Sequence, residues 1–149
     1  MTGGAGFIGS HLTRRLLELG HKVWILDNLR TGYRENVPSG ATFLQIDLSD
    51  VDMVDTLPES PFDAVFHLAA QSSGEISFDD PGYDVRTNVV GTLQLLRWCQ
   101  QRGVLRFLYA SSMSIYGDVG EQAVDEDHPC RPKSFYGVGK LTSELYLDI

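Results

Sequence analysis

Met1-Thr2-Gly3-Gly4-Ala5-Gly6-Phe7-Ile8-Gly9 decides how this 149-residue chain is read. Gly3, Gly6 and Gly9 recur at steps of three, and Gly4 to Gly9 fits the pattern G-x-G-x-x-G. Glycine is needed where a backbone turns tightly and must let a pyrophosphate come close. Phe7, Ile8, Leu12, Leu16, Leu17 and Leu19 follow at helical spacing. They predict a helix to about Leu19 with those side chains on its buried face. The free N–H groups at the start of such a helix attract phosphate. A turn of this kind follows a strand, yet only Met1 and Thr2 precede the glycines. The expectation is a first strand that lies mostly upstream, with Met1 in its last position.

Moving outward, Gly20 closes the helix, and Lys22 to Leu26 is a short apolar run read as a buried strand. Asp27 stands at its end, 18 positions after Gly9. That is close to the separation of about 20 expected for the acid that bonds the adenosine ribose. A carboxylate there repels a 2′-phosphate and so favours NAD over NADP. Thr42 to Ile46, Asp63 to Leu68 and Leu105 to Ala110 read as further strands. Ser49 is expected to cap a short helix over Val51 to Leu57, and Gln71 to Gly82 to form a loop. A long helix is expected over Asp84 to Arg102, with Val85, Val89, Leu93, Leu96 and Cys99 as its apolar face. Gly117 to Ser134 reads as a surface excursion, and Phe135 opens a helix that continues to the last residue. Strands alternating with helices predict an α/β fold, a doubly wound parallel sheet with helices on both faces. The last helix has no terminating signal. The chain is therefore expected to be truncated at both ends, and unstable when expressed alone.

The net charge of −8 gives no general pull toward nucleic acid or anionic membrane. Cys99 and Cys130 lack metal or redox spacing. With no signal peptide and no membrane-length apolar run, a soluble cytoplasmic protein is expected.

The chemistry centres on Tyr136-Gly137-Val138-Gly139-Lys140. On a helix, residues four apart share a face. A neighbouring ammonium favours the phenolate form of a tyrosine, which can then take a proton from a sugar hydroxyl as hydride leaves the same carbon. A serine from Ser111-Ser112, at the end of a strand, can hold the same oxygen by a hydrogen bond. Gly137 and Gly139 each cost a helix roughly 1 kcal/mol against alanine, so function or close packing put them there. His67, in a strand before Ala69-Ala70, reads as structural.

Together, Thr2 to Leu12, Leu26-Asp27-Asn28-Leu29, His67 to Gln71, Asn88 to Thr92, Ser111-Ser112 with Tyr116-Gly117, and Tyr136 to Lys140 resemble the extended short-chain dehydrogenase/reductases. The nucleotide-sugar epimerases are the nearest likeness. The resemblance spans the chain and implies a Rossmann-type NAD-binding domain, here without its first strand and its C-terminal substrate domain. By family topology, that first strand lies between the strands ending at Asp27 and Leu68.

It implies that Gly3, Gly6 and Gly9 hold the pyrophosphate, with Phe7 and Ile8 beside it. Asp27 and Asn28 take the ribose, and Asp47 and Leu48 flank adenine. Leu68, Ala69 and Ala70 lie along the cofactor, and Asn88 supports the site. It further implies Tyr136 as base, Lys140 on the nicotinamide ribose, and Ser112 rather than Ser111 as the catalytic serine. The implied reaction is epimerisation at C4 of a nucleotide sugar, with NAD holding the hydride in between. A dehydrogenase, reductase or dehydratase of the same family is the alternative, and a non-enzymatic NAD-binding protein a more distant one. The dehydratases carry Asp-Glu, and the decarboxylases a Glu, where this chain has Met113 and Ser114. That counts against both reactions. Gly74 and Glu75 replace the apolar residue and arginine of many relatives. A homodimer through the helices holding Leu93 and Leu141 is implied for the full-length protein.

Overall fold

The computed structural model describes residues 1–59, 61–121 and 123–149. Four short strands carry the fold: β1 (Trp24–Asp27), β2 (Thr42–Gln45), β3 (Val65–His67) and β4 (Phe107–Tyr109). β1 pairs with β2, and β3 with β4, both in parallel. Thr2 joins the two pairs through parallel bridges to Leu26 and His67. Its N–H donates to Phe66 O at 2.9 Å and its carbonyl accepts from Leu68 N at 3.3 Å. On the other side, Gly3 N donates to Leu26 O at 2.8 Å. The order is therefore β2, β1, the Thr2 segment, β3, β4. Thr2, rather than Met1, is the residue that carries the pairing into the glycine turn. The chain leaves this central position to one side and then crosses to the other. That makes a Rossmann-type doubly wound sheet with its switch point beside the glycines. Leu26, Val65, Leu95, Trp98 and Cys99 belong to the apolar cluster that holds the strands to the helix behind them.

Helix α1 spans Phe7–Glu18, but its buried residues are Gly9, Ser10 and Thr13. Phe7 is 80% exposed and Ile8 65%. The expected apolar face fails at this end for a steric reason. The first turn of α1 lies against the Gly3–Gly4 backbone, where a methyl group on Gly9 would overlap the Gly3 carbonyl. Only small residues fit there, and the large ones turn outward.

The segment expected as a loop before the long helix contains α2 (Ile76–Asp79), and α3 (Pro81–Val85) begins inside it. Asp80 caps α3 by accepting from Tyr83 N at 2.8 Å, with Pro81 in the first turn. A π-helical turn, Arg86–Val90, connects α3 to α4 (Gly91–Arg102), which stops at Gly103 in the left-handed region at φ 67°. The buried face of this run is Asp84, Asn88, Thr92, Leu95 and Cys99. It lies about one residue before the expected stripe until the two meet at Cys99, and Val85 and Leu93 are exposed. The helix meets hydrogen-bonding partners rather than apolar ones in its first half, so hydrophobicity marks the wrong face. The helix expected after Ser49 is a single 3-10 turn, Met53–Thr56. Ser49 does not cap it: the turn starts after Asp52, which makes no side-chain cap bond. Helix α5 spans Phe135–Leu147. Among the described residues, no helix is long and apolar enough to cross a membrane.

Candidate active site

The glycine turn, the ends of β1 and β3, and the segment after β2 open onto one cleft of about 510 Å³. That falls within the ~300–1,000 Å³ usual for small-molecule sites. Gly3, Gly6, Phe7, Ile8 and Gly9 form one wall, with Asp27, Asn28, Asp47 and Leu48 beside it. Leu68, Ala69 and Ala70 form the floor, and Ala110 closes the far end.

Each wall is locally determined. Gly3 has φ 71°, and a methyl group on it would stand 2.7 Å from Ala69 N, so the turn presses directly on the end of β3. Gly6 caps α1 without any side-chain hydrogen bond. The N-terminal turn of α1 thus presents backbone N–H groups to the cleft with no protein acceptor from a cap. Asp27 is buried and accepts from Ala5 N at 3.0 Å and Leu29 N at 2.9 Å. The second bond holds Leu29 at φ 60°, a left-handed conformation that few leucines adopt. One carboxylate thereby ties the glycine turn to the end of β1. Asn28 Nδ2 donates to Asp47 Oδ2 at 2.8 Å. Burial pushes the Asp47 carboxyl up, but the Ser49 and Asn28 hydrogen bonds and the Arg30 charge outweigh it and hold Asp47 below its ordinary range. The guanidinium of Arg30 lies 4.1 Å over the Tyr83 ring. Tyr83 also lines the cleft, a contribution that sequence reasoning did not single out.

Asn88 does not reach the cleft wall. Its Oδ1 accepts from Gln71 N at 3.0 Å and its Nδ2 donates to Gln71 O at 2.9 Å, a two-way clamp on the chain after Ala70. Asn88 sits in the π turn, and its carbonyl accepts from Thr92 Oγ1 and Ser143 Oγ, each at 2.7 Å. The wider turn frees a backbone acceptor, and two hydroxyls fill it.

His67 is structural, as its sequence context suggested. It is 1% exposed and bonded to Thr2 Oγ1 at 2.7 Å and Thr92 Oγ1 at 2.9 Å. Thr2 Oγ1 accepts from Ala69 N, and its own proton is free to go to His67 Nδ1. Thr92 already gives its proton to Asn88 O, so His67 Nε2 is the donor to Thr92. The acceptor role of Nδ1 requires the neutral ring, protonated at Nε2. Burial, with smaller pushes from Lys140 and the N-terminus, lowers the His67 pKa to about 3.

Tyr136 and Lys140 are both buried on one face of α5. Lys140 Nζ donates to Ala110 O at 2.7 Å and lies 4.6 Å from the centre of the Tyr109 ring and 5.8 Å from that of Tyr136. Lys140 is thereby fixed to Ala110, which follows β4 and lines the cleft, whereas Ser112, Tyr136 and Lys140 are not themselves among its lining residues. Burial lowers the Lys140 pKa to about 8, against the raising charges of Asp84 and Glu144. Ser112 lies between Ala110 and the 3-10 turn Met113–Ile115, which it caps by accepting from Ser114 N at 3.2 Å. Its hydroxyl donates to Ser114 Oγ at 3.2 Å. Ser111 is exposed. Neither Met113 nor Ser114 offers a carboxylate beside this group.

A parallel sheet with a glycine turn at its switch point, a strand-end acid and a buried Tyr–Lys pair define a dinucleotide-binding domain of the dehydrogenase/reductase kind. The comparisons narrow it. The model of the NAD dependent epimerase/dehydratase family matches residues 1–148, and the chain belongs to that family. It is 41% identical to the UDP-glucose 4-epimerase of Mycolicibacterium smegmatis over all of this chain and 50% of that protein. It superposes on the crystal structure of the Thermus thermophilus UDP-glucose 4-epimerase in complex with NAD with a TM-score of 0.92. The identity there is 46%, over 99% of this chain and 48% of that one. UDP-glucuronic acid decarboxylase 1 of Danio rerio is 36% identical over 97% of this chain and 35% of its own length. The chain spans about half the length of the epimerase relatives it matches.

Proposed function

We propose that this chain is the NAD-binding half of a nucleotide-sugar 4-epimerase acting on a UDP-sugar. The observation that carries the reading is the buried Tyr136–Lys140 pair, whose lysine is bonded to Ala110 of the cleft. The residues present suit NAD. Gly3 and Gly9 let the turn pack backbone on backbone where a methyl group would overlap it, α1 offers uncapped N–H groups, and Asp27 disfavours a 2′-phosphate. NAD, when bound, supplies reversible hydride acceptance. Gly3, Gly6 and Gly9, with the N–H groups of Phe7 and Ile8, hold the pyrophosphate. Asp27 and Asn28 hold the adenosine ribose, Asp47 and Leu48 border the adenine, and Leu68, Ala69 and Ala70 support the flat face. Asn88 acts through Gln71, which it clamps.

In this reading Tyr136 takes the proton of the sugar 4-hydroxyl and returns it after the 4-keto sugar has turned over. Lys140 binds the nicotinamide ribose beside Tyr136. Ser112 releases Ser114 Oγ and orients the reacting oxygen. Met113 and Ser114, just after Ser112, supply no second acid or base, which favours epimerisation over decarboxylation. The full-length protein is read as a cytoplasmic homodimer joined along the helices of Leu93 and Leu141, of which Leu93 is exposed here. The test is to incubate the full-length protein with UDP-glucose and follow its C4 epimer by NMR and NADH by absorbance. Epimer formation without NADH accumulation is expected. Steady reduction of added NAD assigns a dehydrogenase instead.

A further inference from the structure

Asp84, on α3, is fully buried at 0% exposure. Its Oδ1 accepts from Gln71 Nε2 at 2.8 Å and Asn88 Nδ2 at 3.1 Å. Its Oδ2 has no hydrogen-bond partner. That free oxygen faces α5, where a methyl group on Gly139 would stand 3.3 Å from it. The next residue is Lys140, itself 2% exposed, whose hydrogen bond goes to a neutral carbonyl. The ion pairs among the described residues are Arg15–Glu18 and Arg102–Glu59, so Asp84 and Lys140 stand more than 4.0 Å apart. A buried charge without a counter-charge is costly, and two such groups on facing helices relieve one another through a medium that screens poorly.

We propose that Asp84 is a positioning residue for the Tyr136–Lys140 pair, its carboxylate serving as the buried counter-charge that keeps the Lys140 ammonium in place. The proposal rests on the reading of Lys140 as part of the reactive site for its functional meaning, though not for its test. The other titratable groups facing Lys140 are Tyr136 and Glu144 on α5, Tyr109 on β4 and His67 on β3. His67 is neutral. Glu144 is only partly buried, so water screens it. Asp84 is the carboxylate in the dry layer. Burial raises Asp84 and lowers Lys140, and the charge of each opposes the shift of the other.

The test is a double-mutant cycle in the full-length protein with D84N, K140M and the double variant, read by urea unfolding at about pH 6.5 and pH 10. The expected coupling is about tenfold in the folding equilibrium at the lower pH, lost at the higher one where Lys140 is uncharged. E144Q paired with K140M gives a smaller coupling. Coupling that is absent, or equal at both pH values, overturns the proposal. If D84N does not fold, recovery of folding in D84N/K140M supports it, and failure of both overturns it. The cycle needs no turnover. Coupling in a protein that does not epimerise UDP-sugars therefore sinks the functional reading and leaves the pair standing.

Discussion

Gly137 and Ser114 are in backbone contact: a methyl group on Gly137 would stand 2.5 Å from the Ser114 carbonyl oxygen. This contact sets the start of α5, and with it Tyr136, against the turn that carries Ser112. Neither partner is a flexible side chain tip, so the helix itself must move to admit a larger residue. G137A in the full-length protein is expected to lower stability by about 1–3 kcal/mol, as overpacking does. It should also reduce turnover more than NAD affinity. Thermal unfolding and isothermal titration separate the two effects. Unchanged stability means the contact is looser than described.

Asp27 makes two backbone hydrogen bonds and faces the cleft. An amide keeps the shape but loses the charge and one acceptor. D27N is expected to weaken NAD binding roughly tenfold or more, since hydrogen bonds to charged groups contribute about 1.5–3 kcal/mol. Discrimination against NADP should narrow at the same time. Titration with both cofactors checks this, and equal losses for the two would remove Asp27 from the ribose.

Replacing Tyr136 by Phe takes away one hydroxyl and keeps the buried ring. Turnover of the UDP-sugar is expected to fall roughly 100- to 10,000-fold, the range for loss of a positioned acid–base group. NAD binding and the unfolding transition should stay near those of the wild type. A Y136F protein that still epimerises at the original rate excludes Tyr136 as the base.

His67 gives the fold a sensitivity to acid. Its folded pKa is about 3, against 6.5 in the unfolded chain. Between these values the unfolded chain binds the additional proton, so stability falls as pH drops through about 6.5 toward 3. Urea unfolding of the full-length protein between about pH 7 and 5 should show the wild type losing about 2 kcal/mol more than H67Q. Parallel losses would assign the acid sensitivity to other groups.

Much of this site is legible in the residues alone because its chemistry is local. The glycine spacing, the acid at the end of β1 and the i, i+4 relation of Tyr136 and Lys140 each follow from short-range geometry. The Asp80-Pro81 pair was a cap-and-first-turn signal for the start of α3 inside the segment expected as a loop. The buried faces of α1 and of the α3–α4 run were less legible. Periodic hydrophobicity finds faces that meet oil, whereas Ser10, Thr13, Asp84 and Asn88 face backbone and hydrogen-bond partners. Nothing in the sequence near Asp84 announces Gln71 or Lys140, since one comes from the segment after β3 and the other from α5, and only tertiary packing brings them near α3.

The bridging position of Thr2 has a mechanical consequence. Thr2 lies between the two halves of the sheet and touches Leu26 on one side and His67 on the other. Leu26 N donates to Met1 O and Leu68 N to Thr2 O, so two amides far apart in sequence are latched to neighbouring residues of one segment. When that latch opens, both are released, and the floor beneath Ala69 comes free of the glycine turn in the same event. Hydrogen exchange at Leu26 and Leu68 should therefore rise together, and a dinucleotide spanning the seam would slow both at once.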